Sequence, residues 1–442
     1  MFWASFLAKE GIDSPEPTRG ISVKKRELYE KGVAKFFNRP FSIDLEVFEA
    51  ARRFVQDMLR SEVGSCSPLS MEEAIERILL HAGSSASGPR WNKWGQTKRE
   101  VLTNAEALEE LRKMLEPQQL LVDSYFTLSL KDELRDIVEG KAKDARVFLP
   151  VSLPLLVATV MVYGRWNDRF VDSEFWGSMG QGFLRGGTDR LVTRLEKHPL
   201  CGEGDAQKFD TSQNPFMREV VYGLRNEFVW HELRAVVTFL MIWPRVMLPD
   251  GHLWELPGGN PSGSFNTLVD NSILTLLVLV YAFIRCLGRL PNPREIEAIV
   301  TGDDYLYSTV LEAFTPEVVR KYGSELGLTY DTGSLKSLSD STFCQKRFEK
   351  SGDTWVGVPD AQRFWATMEL NRCESAYDSA VLSQSVMIEH FYNQSLRRLL
   401  RRFQEFLEDE YLVVLEYLTD QQIDLLHKVG VSYENCSHEC DP

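Results

Sequence analysis

The hydrophobic positions of this chain fall mostly at helical spacing, with short strand-like runs between them. From Ser42, the residues Leu45, Phe48, Val55, Met58 and Leu59 share one face and predict a packing helix. Ser70-Met71-Glu72-Glu73 carries the capping-box signature of another helix. Leu149 to Tyr163 is an apolar helix, and Pro215 opens a further one. The longest apolar run, Ile273 to Ile284, stops at Arg285. It is too short to span a bilayer and reads as a buried helix, so no transmembrane segment is expected. Strand signals flank Thr301-Gly302-Asp303-Asp304: Ile296, Ala298, Ile299 and Val300 lead in, and Tyr305 to Val310 leads out. Two short strands joined by a tight turn are expected there. Residues 129–148 suggest two β-like arms around Gly140, and Ser341 to Phe348 another short pair. Thr315 caps a helix with Pro316 in its first turn and Gly327 after its last. From about residue 360 the pattern is helical.

Composition narrows this. A chain of 442 residues with 43% hydrophobic and 26% charged residues has an ordinary globular make-up and room for two or three subdomains. The N-terminus lacks a secretory pattern, and 7 scattered cysteines suggest a reducing compartment. Cys436, His438 and Cys440 cluster without a fourth zinc ligand and read as a tail. A net charge of −14 argues against a nucleic-acid partner unless the cations are grouped. They are grouped in three places. Arg90, Lys93, Lys98 and Arg99 interleave with Trp91 and Trp94 behind a Ser-Gly-Pro loop, which suits a phosphate backbone and a stacking base, or else a linker with core tryptophans. Lys131, Arg135, Lys143 and Arg146 suit a triphosphate, or else form a solvated hairpin. Arg397, Arg398, Arg401 and Arg402 form a helical stripe, which a following acidic helix with Glu405, Glu408, Asp409 and Glu410 would pair with if the charges are matched internally.

The carboxylates carry the chemistry. Asp303 and Asp304 at a hairpin tip repel each other unless a cation sits between them and a partner, although an isolated Gly-Asp-Asp is most often a solvated turn. Asp205 and Asp210 lie five apart, one expected at a strand end and the other at a turn. Gly202, Glu203 and Gly204 make that strand poorly patterned. The Gly258-to-Gly263 loop runs into a helix that places Thr267 and Asn271 on one face, and such a loop lets a sugar and phosphate approach the backbone.

Taken in order, these fragments resemble the motifs of a viral RNA-dependent RNA polymerase of the picornavirus-like supergroup. Ser87-Gly88-Pro89 resembles motif G, and Lys131-Asp132-Glu133-Leu134-Arg135 with Lys143 and Arg146 resembles motif F. Asp205-x4-Asp210 is similar to motif A, Ser262-Gly263-x3-Thr267-x3-Asn271 to motif B and Gly302-Asp303-Asp304 to motif C. Lys336 falls where motif D has its lysine, and Phe343 to Phe348 resembles motif E. The wording of motifs A and B is closest to astrovirus- and potyvirus-type polymerases. The likeness covers roughly residues 84 to 348.

The resemblance implies an α+β fold in the form of a closed right hand: fingers from 1–190 with an insertion at 216–257, an antiparallel-sheet palm from 191–215 and 258–350, and a helical thumb and tail from 351–442. It implies template-directed RNA synthesis by two-metal nucleotidyl transfer. Two Mg2+ ions, with Mn2+ as a substitute, would bind Asp205, Asp303 and Asp304, and Lys336 would protonate the leaving pyrophosphate. Lys131, Lys143 and Arg146 would hold the triphosphate, with Thr267 nearby, and Asp210, Ser262 and Asn271 would read the ribose 2′-hydroxyl. RNA contacts are expected from Ser87, Gly88, Pro89, Arg90, Gly263, Lys346, Arg347, Arg397 and Arg401. The implied partners are RNA template, primer and product duplex, NTPs and other viral replication proteins. The implied setting is host cytoplasm, membrane-associated replication sites or a virion. A reverse transcriptase would carry an aromatic-x-Asp-Asp turn and a bulky sugar gate where Gly302 and Asp210 stand. A non-catalytic RNA-binding scaffold is the alternative of another class, and the complete acidic set argues against it.

Overall fold

A computed structural model describes residues 1–37, 41–177, 182–331 and 333–429. The Cys436, His438 and Cys440 tail lies outside the described residues. The fold is a mixture of helices and small, mostly antiparallel sheets.

The N-terminal helix α1 (Phe2–Glu10) buries Trp3, Phe6 and Leu7. Helix α2 (Leu45–Glu62) starts two residues later than Ser42 would suggest, because the Asp44 carboxylate accepts the Val47 amide at 3.2 Å and makes a better cap. Phe48, Val55 and Leu59 are buried as the spacing predicts, whereas Leu45 at the first helical position is exposed. The basic segment is not one continuous hairpin. Leu134–Val138 pairs with Lys141–Ala142 through Glu139 and Gly140, both at positive φ, while Ser129–Leu130 pairs separately with Val147–Phe148. An N-terminal strand, Arg19–Ile21, adds to the outer edge of Leu134–Val138.

The core strand β1 (Leu200–Gly204) precedes α3 (Pro215–Asn226), which is capped by Asn214 and has Pro215 in its first turn. The central helix α4 (Thr267–Leu287) is long and apolar enough to cross a membrane by length and composition alone. Here every residue from Val269 to Ile284 is buried. Helix α2, helix α3, the strand β2 (Ile296–Thr301) and the helix α5 (Pro316–Glu325) pack around it. Strand β2 turns into β3 (Asp304–Thr309), and the sheet order is β2–β3–β1, antiparallel throughout.

The weak pattern of β1 has a steric reason. Gly202 and Gly204 lie directly opposite Tyr307 and Tyr305. A Cβ on Gly202 would stand 2.3 Å from the Tyr307 ring, and one on Gly204 2.4 Å from the Tyr305 hydroxyl. The tyrosines supply the side-chain cover that the glycines lack.

A second small sheet joins β4 (Thr342–Phe343), β5 (Lys346–Ser351) and β6 (Thr354–Pro359). Helices α6 (Ala361–Glu369), α7 (Ala376–Glu389) and α8 (Gln394–Tyr411) then build a separate apolar core that includes Phe364, Met387, Phe403 and Leu407. Trp3, Phe6 and Leu7 of α1 belong to this core, so the first helix packs with the C-terminal helices. The acidic residues Glu405, Glu408, Asp409 and Glu410 lie in α8 itself, the same helix as the arginine stripe, and not in a following one. Arg397 and Arg401 pair with Asp420, and Arg402 pairs with Glu10 of α1. The expected RNA-facing arginines 397 and 401 are therefore half-buried partners of a carboxylate.

Candidate active site

The β2–β3 turn has two central residues, Gly302 and Asp303, between the paired Thr301 and Asp304. Gly302 has φ +66 while Asp303 does not share the left-handed region, the φ pattern of a hairpin turn that needs glycine first. Thr275 and Ser272 of α4 clamp the tip: Thr275 Oγ1 donates to the Gly302 carbonyl and the Gly302 amide donates to Ser272 Oγ, each at 2.8 Å. On the neighbouring strand, Tyr305 pairs with Gly204, so Asp304 and Asp205 leave the ladder side by side. Residues 98 positions apart in the chain, Asp205 and Asp303, thus reach one place.

The electrostatics reflect that crowding. Burial, then the Asp205 charge, pushes the Asp303 carboxyl up to about 7 and the Asp304 carboxyl up to about 6. Asp205 is raised too, by desolvation first and by Asp331 next. The Cys344 thiol donates to Asp304, and burial followed by that carboxylate raises the thiol to about 12. Among the described residues no three His, Cys, Asp or Glu side chains form a metal cage. The expected three-carboxylate enclosure is therefore not a ready-made one. The donor set still suits Mg2+, which binds through one or two carboxylates and keeps its other positions for water and phosphate.

Behind the carboxylates lies a cavity of about 460 Å³ lined by Glu203, Asp205, Asp304, Asp331, Lys336 and Cys344 among others. The Lys336 backbone pairs with Cys201 on the free edge of β1, and its Nζ donates to Glu203 at 2.6 Å. Glu203 also accepts from the Thr342 hydroxyl at 2.9 Å. On the other side Arg146 lies in electrostatic reach of Asp303 and Asp210. Each expected triphosphate cation is already paired: Arg146 grips Glu133 through two bonds of 2.6 and 2.5 Å, Lys131 lies 3.5 Å from Glu133, and Lys143 lies 2.9 Å from Asp136.

Asp210 sits in a short helical turn after β1, and Asn271 in the first turns of α4 donates to it at 2.8 Å. Burial raises the Asp210 carboxyl, opposed by the Asn271 hydrogen bond and by the charges of Arg218 and Arg146. Thr267 instead donates to the backbone of its own loop, at Pro261 and Ser264. Ser262 is exposed on that loop and stands outside the Asp210–Asn271 bond. Gly263 forms a backbone bridge with Pro150, and a Cβ there would lie 2.4 Å from the Leu149 carbonyl. Its role in the fold is close approach of two backbones.

In the first basic group Trp91 follows the core-tryptophan alternative and Ser87 departs from its expected RNA contact. Ser87 is buried and donates to the Gly95 carbonyl at 2.7 Å, and Trp91 is 2% exposed in an apolar core. Neither is available to RNA in this conformation. Gly88 has φ +97, and Pro89 and Arg90 are exposed, Arg90 pairing with Glu110 and Asp123. Arg347 is exposed on β5, and Lys346 is partly buried 3.5 Å from Glu389.

The family model for viral RNA-dependent RNA polymerase matches residues 35–408. The chain belongs to the viral RNA-dependent RNA polymerase family. It is 24% identical over 401 residues to the genome polyprotein of Plum pox potyvirus (strain El amar), covering 86% of this chain and 26% of that one. It is 25% identical over 397 residues to the genome polyprotein of Turnip mosaic virus (strain Quebec), covering 86% of this chain and 12% of that one. With the genome polyprotein of Beet mosaic virus it shares 27% identity over 287 residues, covering 62% of this chain and 9% of that one. The chain spans about a quarter or less of these relatives' length.

In this polymerase-family chain the buried charges that support Asp210 and Asn271 are not apparent from the sequence alone. Asp270, one residue before Asn271, is fully buried between Arg218, at 3.0 Å, and Arg225. The available signal was two arginines and an aspartate on otherwise apolar helical faces, a pattern that requires internal pairing.

Proposed function

We propose that the chain synthesises RNA from NTPs on an RNA template. The observation that carries this reading is the meeting of Asp205 with Asp303 at the ends of neighbouring strands, where burial and mutual repulsion leave a place for cations. The domain plan that fits is a right hand: palm from 191–215 and 258–350, fingers from 11–190 and 216–257, and a thumb from 351 onward joined by α1. Asp205 and Asp303 would hold two Mg2+ ions, or Mn2+ in their place, with Asp304 auxiliary. When bound, such a pair stabilises charge on the attacking and leaving oxygens.

The chain's own groups do the rest. Lys131, Lys143 and Arg146 exchange their carboxylate partners for the triphosphate, Arg146 as a bidentate fork. Asp210 and Asn271 meet the ribose 2′-hydroxyl, with Ser262 reaching in from the loop. The primer 3′-hydroxyl gives its proton to water, its oxygen attacks the α-phosphorus, and the bond from that phosphorus to the pyrophosphate oxygen breaks. Lys336 protonates that leaving group from the cavity beside Asp205. Exposed Pro89, Arg90 and Arg347, with the partly buried Gly263, lie along the path proposed for RNA. The setting proposed is viral replication in a host cell, with other replication proteins as neighbours.

Primer extension on an RNA template, comparing NTPs with dNTPs in Mg2+ and Mn2+, tests the reading. NTP incorporation that falls at least about a hundredfold in Asp303→Ala, with RNA binding retained, is the expected result. Preference for dNTPs would point to reverse transcription, and undiminished turnover in the variant would remove Asp303 from the chemistry.

A further inference from the structure

The Asp210–Asn271 pair is the last link of a buried chain of donors. An amide such as Asn271 has two nearly isosteric orientations, and only one points its NH2 at Asp210. Two donors select that orientation. Gln213 Nε2 and Asn260 Nδ2 both donate to Asn271 Oδ1, each at 2.7 Å, which leaves Nδ2 to donate to Asp210 Oδ1 at 2.8 Å.

Gln213 has the same ambiguity, and it too is resolved. Arg218 Nη1 donates to Gln213 Oε1 at 3.2 Å, so the Gln213 NH2 must face Asn271. The guanidinium cannot reverse its role, because it has donors only. It is itself held by Asp270 at 3.0 Å, with no solvent exposure on either side chain. Asp270 is in turn paired with Arg225. The direction of every hydrogen bond from Arg218 to Asp210 is therefore fixed by one buried cation. Gln213 is 2% exposed and lies in the segment between Asp210 and α3, so it has no surface role to explain its polarity.

We propose that Gln213 is a positioning residue for ribose recognition, transmitting the donor direction of Arg218 to Asn271 and so presenting the Asn271 amide hydrogen to the sugar-reading site. It touches neither nucleotide nor metal. The inference rests on the reading of Asp210 and Asn271 as the sugar-reading pair. The informative change is Gln213→Glu, which keeps shape and an acceptor for Arg218 but sets a carboxylate oxygen against Asn271 Oδ1. Two facing acceptors repel, which pushes the Asn271 amide off its aim and weakens its bond to Asp210. Gln213→Ala removes one of two selecting donors and leaves Asn260 in place, so its effect is smaller.

The test measures kcat/KM for an NTP and the matching 2′-deoxy NTP in wild type, Asn271→Ala, Gln213→Glu and Gln213→Ala. A melting curve of each variant establishes that it is folded. The NTP/dNTP ratio is the readout, because a general loss of stability lowers both values in proportion. Gln213→Glu is expected to lower the ratio about tenfold, and Gln213→Ala by less. If Asn271→Ala relaxes the ratio while both Gln213 variants keep it, or lower both values in parallel, the positioning role is overturned and the sugar reading stands. If Asn271→Ala itself leaves the ratio unchanged, the sugar reading falls first. Where Gln213→Glu does not fold, Gln213→Ala decides, and an unchanged ratio overturns the proposal.

Discussion

Lys336 is a cation whose setting in the fold admits one role and limits another. Its Nζ is 2.6 Å from Glu203, and it lines the same cavity as Asp205 and Asp304. A purely structural lysine here would only tie β1 to the segment that pairs with it. A proton donor would be needed at the cavity when pyrophosphate leaves. The two roles separate under substitution. Arg keeps a charge-assisted pair with Glu203 but cannot release a proton near neutral pH, whereas Leu loses both. Lys336→Arg is thus expected to keep the unfolding midpoint while cutting single-turnover incorporation about a hundredfold, and Lys336→Leu to lose both. Single-turnover rates with melting curves check this. Full-rate incorporation by Lys336→Arg would leave the lysine a structural role alone.

At the scale of elements, the chain advertised what is periodic and concealed what is steric or buried and charged. The β2–β3 hairpin was legible because an apolar run, a glycine turn and a β-prone run follow one another from Ile296 to Thr309. Helix α4 was legible as buried because its apolar run has no polar face. Strand β1 was expected to end at Asp205, as it does, but its pattern was poor, since alternation cannot show that Gly202 and Gly204 are covered by Tyr307 and Tyr305 from the next strand. The same limit left open whether Trp91 faces RNA or the core, since its burial depends on packing against distant segments. It also hid the partners of Arg397 and Arg401, because Asp420 approaches them only through the fold. Of the site, the carboxylates that the fold brings together, Asp205, Asp303 and Asp304, were readable as candidates, and the hydrogen-bond partners were not. The steric account of β1 has a consequence. Gly202→Ala must displace the Tyr307 ring, which is boxed in beside Phe314 at 5.0 Å, and overpacking of that kind costs about 1–3 kcal/mol. A denaturant midpoint lowered accordingly, with Asp205 carried out of line and incorporation reduced, is the expected outcome. An alanine variant of wild-type stability would show that β1 tolerates a side chain there.

For the molecule as a whole, α1 and the helices after residue 360 build one core. Trp3 of α1 packs edge-on against Phe364 and Phe403, at 5.9 and 4.9 Å between ring centroids. His390, at the end of α7, sits edge-on to Phe364 at 5.5 Å and is 2% exposed. Burial holds its imidazole down at about 4. Glu389 and Asp360 nearby favour the charged ring, while Lys346 and Arg363 oppose it. In the unfolded chain the same ring titrates near 6.5. Between these values the unfolded state binds the extra proton, so stability falls as pH drops from about 6.5 and levels off near the folded value. Proton linkage of this kind costs about 1.4 kcal/mol for every pH step of one, which makes the whole loss about 3 kcal/mol. Carboxylates titrate over part of the same range, so the slope of the wild type alone does not isolate the histidine. His390→Phe does, because it retains an aromatic ring against Phe364 and removes the proton site. Unfolding midpoints measured from about pH 7 to about pH 4 are expected to fall less steeply in His390→Phe than in wild type. Parallel curves would mean that the imidazole is hydrated or charged in the folded protein and that the core joining α1 to these helices is open at this point.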